Sequence, residues 1–326
     1  ISHSGRSDTR VFRELSALGA ELKTLGDKTL GAAARGQAAI VFDWDSYRAL
    51  EMSIGPSRDL RYVPEIWRFY DALYRRHIPV DFIPADASAD TLAAYPLVLC
   101  PVLYMVKGDT AANLTAYVRQ GGTLLTGYMS GMADGNDKIY TGGYPGPLRE
   151  VCGVWLDERD ALPPDESRKL SVDGKDDYTC GLLCDLICPA GAEVKARYES
   201  GFYAGTAAVT AHRYGQGNAW YFGTKPDNAA FDRLMDEVME ESGAKPLVSE
   251  PTPLEITCRE KDGKRFWFVL NFTTEPQPVP QALIGLPNLL SGKAATENTQ
   301  LSTFDVLLLL QEDCKSGNSG NLFEGK

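Results

Sequence analysis

Apolar residues recur along this chain in two rhythms. Near the start they fall three or four apart, at Val11, Phe12, Leu15, Leu18, Leu22 and Leu25. That spacing predicts an amphipathic helix over 9–25, with Asp8 as its cap. After the small-residue link "GAAARGQ", short apolar runs alternate with helical stripes. Strands are predicted at 38–42, 79–83, 96–106 and 123–127. A helix is predicted at 62–76, with Ile66, Phe69, Tyr70 and Leu73 inward, and another runs from a cap at Asp109 to a stop at Gly121. This alternation predicts an α/β fold, an open and mostly parallel sheet with helices on both faces.

Residues 149–177 are acidic and irregular, and read as an excursion from the sheet. Strands resume around a hairpin at Gly215-Gln216-Gly217, and "FDRLMDEVMEESG" predicts a closing helix with Gly243 as its stop. The proline-rich "KPLVSEPTP" marks a boundary. Beyond it, "LEITCREKDGKRFWFVLNFT" predicts two strands joined at Asp262-Gly263, the start of a small antiparallel β domain. The expected division is 1–36, a helix and linker; 37–246, the α/β domain; 247–313, the β domain; and 314–326, a disordered tail.

Composition narrows the function. The net charge of −11 repels phosphate backbones and anionic lipid, so neither nucleic acid nor membrane is expected as a partner. The longest apolar run, Val306–Gln311, is far shorter than the roughly 20 residues of a membrane span. The chain opens on Ile1 without the apolar core and cleavage site of a secretion signal, and further residues are expected upstream. Seven cysteines scattered through apolar contexts fit free thiols in the cytoplasm better than a disulfide framework.

Candidate chemistry is sparse. In "IVFDWDSYRALEMS" two carboxylates, Asp43 and Asp45, follow a buried-looking strand and flank Trp44. If the strand continues, their Cα atoms lie about 6–7 Å apart on one face, a separation that overlaps an inverting glycosidase pair. The other reading is structural, with Asp45 capping a helix and Asp43 pairing with Arg48 or Arg58. His3, His77 and His212 lie near no serine or cysteine elbow, so a hydrolytic triad has little to be built from. Cys180, Cys184 and Cys188 recur every four residues, which would make one stripe on a helix, and no second pair completes a metal set. Neither a metal nor a cofactor is expected. The run from Thr126 to Glu150 holds six glycines and two prolines but no phosphate-binding motif. It predicts a shaped loop offering Tyr128, Tyr140 and Tyr144 to an interface.

Several stretches together resemble one family. "VFDWDSYRALEMS", "YDALYRRHIPVDFIPADASADTLAAYPLVLCPVLYMV", the long run from "LTAYVRQGGTLL" to "GGYPGPLREVCGVWLDERDAL", and "AEVKARYESGFYAGTAAVTAHRYGQGNAWYFGT" resemble the middle domain of the glycoside hydrolase family 42 β-galactosidases. "LEITCREKDGKRFWFVLNFT" resembles that family's C-terminal β domain, and "HSGRSDTRVFRELSALGAELKTL" the final helix of its (β/α)8 barrel. The resemblance implies a trimerisation domain with a fold similar to class I glutamine amidotransferases, flavodoxin-like. The nucleophile elbow of that fold would fall near Gly127–Gly131, where this chain has Tyr128, Met129 and Ser130 and no cysteine. The family's two catalytic glutamates and its galactose-binding residues belong to the barrel, upstream of this chain, so no catalytic residue carries over.

The resulting expectation is a non-catalytic assembly part of a cytoplasmic β-galactosidase. Its partner is itself, as a homotrimer, and a β-galactoside reaches it only through the barrel. Trp44 and Tyr47 are expected at the rim of a neighbouring subunit's pocket. Two alternatives stay open. One is a stand-alone amidotransferase-like binding protein presenting a ligand around Asp43, Met105 and Tyr128, and the other is a carbohydrate-binding accessory module that uses exposed tyrosines.

Overall fold

The protein is represented by a computed structural model that describes residues 5–53 and 55–312. The expected tail at 314–326 and His3 lie outside the described residues. The chain divides into two compact units, Gly36–Lys245 and the remainder.

The remainder contributes helix α1 (Arg10–Thr29), which begins where the apolar stripe begins. Its cap is Thr9, whose hydroxyl accepts from the Phe12 amide, and the expected cap Asp8 instead pairs with Arg6. Val11, Leu15, Leu18 and Leu22 on the stripe are all exposed.

In Gly36–Lys245, strand β1 (Ala38–Val41) has four buried residues in a row. It leads to α2 (Trp44–Met52), α3 (Tyr62–Tyr74), β2 (Val80–Ile83), α4 (Ala89–Leu92), β3 (Leu97–Cys100), α5 (Thr110–Arg119) and β4 (Thr123–Gly127). A short α6 (Arg149–Cys152) precedes β5 (Val154–Ala161), β6 (Arg168–Val172) and β7 (Lys175–Pro189). The unit closes with β8 (Glu193–Tyr198), β9 (Ala207–Tyr214), β10 (Gly217–Phe222), β11 (Thr224–Pro226) and α7 (Asn228–Ser242).

Side chains alternate across the sheet as a pleat requires. Ile40, Leu99, Leu125, Trp220 and Phe222 pack on one face with Ile66, Phe69 and Leu73 of α3 and Leu234 and Val238 of α7. Ala39, Val98, Leu124, Ala219 and Tyr221 pack on the other with Leu114, Tyr117 and Val118 of α5. Because both faces are covered, these strands read as unbroken apolar runs.

The predicted open, mostly parallel sheet is not what forms. Four pairings, β2–β1, β1–β3, β3–β4 and β4–β10, are parallel. Every pairing beyond β10 is antiparallel. There β7, β6, β8 and β9 pair in a closed circuit, a small four-strand barrel within an eleven-stranded sheet. The flavodoxin-like and class I glutamine amidotransferase-like assignment is therefore overturned. Two features hid the barrel in the sequence. The stretch 149–177 was expected to be irregular, but β5 alternates buried Val154 and Leu156 with exposed Trp155 and Asp157. Cys180, Cys184 and Cys188 are spaced as on a helix yet lie on β7, where Leu182 adopts φ 64° and the register slips against β11. Such a bulge breaks the period of two that marks a strand.

The second unit's own sheet is antiparallel. Strand β12 (Glu255–Lys261) pairs with β13 (Lys264–Leu270) around Asp262 and Gly263, both at positive φ, as a tight hairpin turn requires. A two-residue pair, β14 (Gln277–Pro278) with β15 (Gln300–Leu301), stands beside it, and β16 (Val306–Gln311) completes the sheet on β13. Trp267, Val269, Leu283, Leu301 and Leu309 form its core. Among the described residues, no helix is long and apolar enough to cross a membrane.

At the start of β10, a Cβ on Gly217 would lie 2.2 Å from the Gly122 carbonyl oxygen and 2.3 Å from that of Val118. Both obstacles are backbone and cannot rotate away. Gly217→Ala is expected to cost about 3 kcal/mol through overpacking, read as a lower urea midpoint with an unchanged slope.

Candidate functional site

The carboxyl ends of β1, β3 and β4 bring together the residues singled out in the sequence. Asp43 leaves β1 in extended conformation and caps α2, its Oδ2 accepting from the Ser46 amide at 2.8 Å and the Ser46 hydroxyl at 2.7 Å. The Ser46 hydroxyl accepts from the Met105 amide at 2.9 Å, so the helix start is tied to the segment after β3. The Asp43 amide donates to the Tyr62 hydroxyl at 2.8 Å, which joins α3 to the same point. Asp43 is therefore the cap, in the place expected of Asp45.

Its ionic partner is Lys107, where Arg48 or Arg58 was expected. The Lys107 Nζ donates to Asp43 Oδ1 at 2.8 Å and to Asp45 Oδ2 at 2.7 Å. That hydrogen bond, with the charge of Lys107 behind it, holds the Asp45 carboxyl below its ordinary value. Burial works against the Lys107 charge, but its two carboxylate partners outweigh that and raise its pKa. An ammonium thus occupies the space between the two carboxylates where a glycosidic oxygen and a water would have to sit. The pair clamps β1, α2 and the loop after β3, and its geometry does not offer acid–base chemistry.

Above the clamp lies an aromatic cluster. Phe42 meets Trp44 edge-on at 5.0 Å and Tyr62 at 5.3 Å, and Tyr47 meets Trp44 and Tyr62, each at 5.9 Å. The indole of Trp44 is 60% exposed, while Tyr47 is half-buried. These ring contacts hold Trp44 in one orientation at the surface.

A second polar cluster follows β4, and the sequence reading did not find it. Buried Glu65 on α3 accepts from the Tyr128 hydroxyl at 2.6 Å and from Lys225 Nζ at 2.5 Å. Burial first, and the neighbouring Glu65 charge second, push the Tyr128 hydroxyl well above its ordinary pKa. Fully buried Asp185 pairs with Arg159 at 2.5 Å and accepts from the Tyr221 hydroxyl at 2.7 Å. Two signals were present. Asp185 is the one charge within "CGLLCDLICP", and Glu65 falls on the apolar stripe of α3, so both need partners.

The turn after β4 has no nucleophile. Met129 takes the strained position at φ 62°, and Ser130 is fully buried, donating to the Cys100 carbonyl and accepting from the Leu103 amide. The glycine-rich loop folds back over the sheet ends, with Tyr140 donating to the Val106 carbonyl at 2.7 Å. Tyr128 is buried and Tyr140 and Tyr144 are half-buried, so the expected display of three exposed tyrosines does not form. The His212 ring nitrogen Nδ1 lies 2.9 Å from the Val151 carbonyl oxygen, a structural role. No group of metal-ligating side chains occurs among the described residues.

No catalytic set is assembled among the described residues, and the lineage shows in similarity to known proteins. A family profile described as a beta-galactosidase trimerisation domain matches residues 36–245, and one described as a beta-galactosidase C-terminal domain matches 254–311. The chain belongs to the glycoside hydrolase family 42 β-galactosidases. Among curated relatives, the β-galactosidase LacZ of Lactobacillus acidophilus is 43% identical over 310 residues, covering 95% of this chain and 46% of that protein. BgaP of Planococcus sp. strain L4 is 40% identical over 314 residues, with the same two coverages, 95% and 46%. The crystal structure of the β-galactosidase from Bacillus circulans sp. alkalophilus superposes with a TM-score of 0.89 at 38% identity, over 95% of this chain and 46% of that one. The chain thus spans just under half the length of each of these three relatives.

Lys107→Met leaves Asp43 buried without its cation and is expected to destabilise the domain by about 2–3 kcal/mol in urea titrations at neutral pH. The pH dependence has a definite sign. Lys107 has a raised folded pKa, so its contribution is complete below about 10.5 and is lost as pH rises beyond that value. Asp45 has a depressed folded pKa, so its contribution is complete above about 3.8 and is lost in stronger acid. The difference between wild type and variant should be flat in the middle range and should narrow at both extremes.

Proposed function

We propose that this chain is the non-catalytic assembly part of a β-galactosidase that hydrolyses terminal β-D-galactosides in carbohydrate metabolism. The observation that carries the reading is the succession of the trimerisation and C-terminal profiles along one chain that spans only 46% of its curated relatives. Catalytic carboxylates are assigned to the part of such a protein that this chain does not contain. The clamped state of Asp43 and Asp45 supports that assignment. So does the exposed stripe of α1, at Val11, Leu15, Leu18 and Leu22, which wants an apolar partner of the kind a barrel's outer surface provides.

The assembly is a homotrimer, and it is cytoplasmic. Buried free thiols at Cys100, Cys152, Cys180 and Cys184 suit a reducing compartment. Neither nucleic acid nor membrane is a partner, in keeping with the net charge of −11. Trp44 and Tyr47 line the rim of the neighbouring subunit's galactoside pocket. The exposed and orientationally fixed indole of Trp44 is the feature that supports this placement, since an aromatic face packs against the apolar face of a sugar ring.

Assayed alone with nitrophenyl β-galactoside, the chain is expected to give no turnover above buffer. Turnover that survives repurification would place the catalytic residues within these 326 residues and overturn the reading. In a β-galactosidase that includes this chain, Trp44→Ala is expected to raise KM several-fold while the trimer persists by light scattering. Unchanged kinetics would remove Trp44 from the rim.

A further inference from the structure

Strand β7 breaks its ladder between two buried thiols, Cys180 and Cys184. Against β11, Thr224 pairs with Cys184 and Pro226 pairs with Cys180. Two steps along β11 therefore answer to four along β7, and Leu182 inside the bulge takes φ 64°. On an unbroken strand, Cα atoms four residues apart lie about 13 Å from each other. Here the two-residue step of β11 sets the separation, about 6.5–7 Å. Disulfides span Cα separations of about 4.4–6.8 Å. The bulge thus brings within bridging reach two cysteines that a regular strand would hold apart.

The neighbouring strands show the same convergence. Asp160 of β5 lies opposite Cys184, and Arg168 of β6 lies opposite Cys180. Arg168 pairs with Asp160 at 3.4 Å, and the Tyr203 hydroxyl donates to Asp160 at 2.7 Å and accepts from Arg168 at 3.1 Å. Cys180, Cys184, Tyr198 and Tyr203 belong to one buried cluster, and the Cys184 Sγ lies 3.7 Å from the Thr224 hydroxyl. A hydrogen bond from the Cys180 thiol, working against burial, draws the Cys184 thiol down to about 7. The same bond, with burial added, raises Cys180. One thiol is therefore ready to ionise near neutral pH while its neighbour keeps its proton. Burial alone pushes Cys152 up to about 12.

We propose that Cys180 and Cys184 are a redox-active dithiol, which a hydroperoxide converts to a disulfide across the bulge. Cys184, as thiolate, attacks one oxygen of hydrogen peroxide. The S–O bond forms, the O–O bond breaks, and the leaving oxygen takes up the proton that Cys184 released, as water. Cys180 then attacks the sulfenic sulfur. The S–S bond forms, the S–O bond breaks, and hydroxide leaves with the Cys180 proton as a second water. The two thiols lose two electrons, and the peroxide gains them.

The way in is the bulge itself. Gly181 and Leu182 are half-buried, between the two fully covered thiols. Strand β11 is three residues long, ends the eleven-stranded sheet and pairs with β7 alone. A short end strand opens at a lower free-energy cost than core strands do, which admits a molecule as small as hydrogen peroxide. In a reducing compartment the pair rests as two thiols, and a dithiol reductant restores that state by exchange.

The test is peroxide oxidation of the whole chain, followed by alkylation in denaturant and tryptic peptide mapping. Residues 176–195 form one peptide that carries Cys180, Cys184 and Cys188. It is expected to lose two hydrogens, to keep one alkylatable thiol at Cys188, and to regain all three thiols after dithiothreitol. The bridge is expected to form at least about 10-fold faster than Cys152 is oxidised, in line with thiolate availability. Cys180→Ser is expected to leave Cys184 as a sulfenic acid that dimedone captures, and Cys184→Ser to leave Cys180 reduced. The wild-type peptide map decides the matter without either variant. Three results would overturn the proposal: Cys180 and Cys184 both still alkylatable once Cys258 is oxidised, a bridge from either of them to Cys188, or sulfinic acid in place of a bridge.

Discussion

The architecture depends on β10 being paired in opposite senses along its two edges. It runs parallel to β4, matching Ala219 to Leu124 and Tyr221 to Thr126. It runs antiparallel to β9, matching Trp220 to Ala211 and Phe222 to Val209. One strand therefore joins a parallel sheet to an antiparallel barrel, and its side chains serve both cores. Trp220 and Phe222 enter the core beneath α3 and α7, while Ala219 and Tyr221 enter the one beneath α5. A slip of one residue would exchange these faces and bury nothing correctly. The tight approach of Gly217 to the backbone at Val118 and Gly122 pins the register at its start.

The two polar clusters tie elements of the same sheet domain together at different places. The Lys107 clamp ties the ends of β1 and β3 to α2, and the Arg159–Asp185–Tyr221 group ties β5 and β7 to β10. Glu65 links α3 to Tyr128 after β4 and to Lys225 on β11. Each is a buried or half-buried charge with its partners in place, which keeps a charge inside a protein from being destabilising. Their shared geometry explains why a carboxylate-rich strand end is chemically quiet. Lys107 fills the space between Asp43 and Asp45, while Glu65 is engaged by Tyr128 and Lys225 and Asp185 by Arg159 and Tyr221.

What the surface offers is in keeping with the proposed assembly role. Trp44 stands at the edge of one aromatic cluster, and Trp67 and Phe82 stand in another, where a charged or polar side chain would be the ordinary choice for an isolated domain. The chain invests in rigid aromatic faces outside and satisfied ion pairs inside. That pattern suits the proposed subunit-joining role.

By itself, the sequence determined the local elements and the lineage. Periodicity located α3, α5, α7, the strands of the parallel half and the hairpin at Asp262-Gly263, because each of those signals is carried within one segment. The long runs shared with one family pointed to β-galactosidases before any fold was in view. Tertiary structure alone decided the sense of the sheet beyond β10 and the closure of the β7–β6–β8–β9 circuit, since pairing partners are distant in sequence and a bulge at Leu182 hides the period. It also decided the fate of Asp43 and Asp45. Their spacing of two allowed a catalytic pair, and only the fold brings Lys107, 64 residues along from Asp43, between them. A carboxylate's role depends on what faces it across space, and that neighbour is not written beside it in the chain.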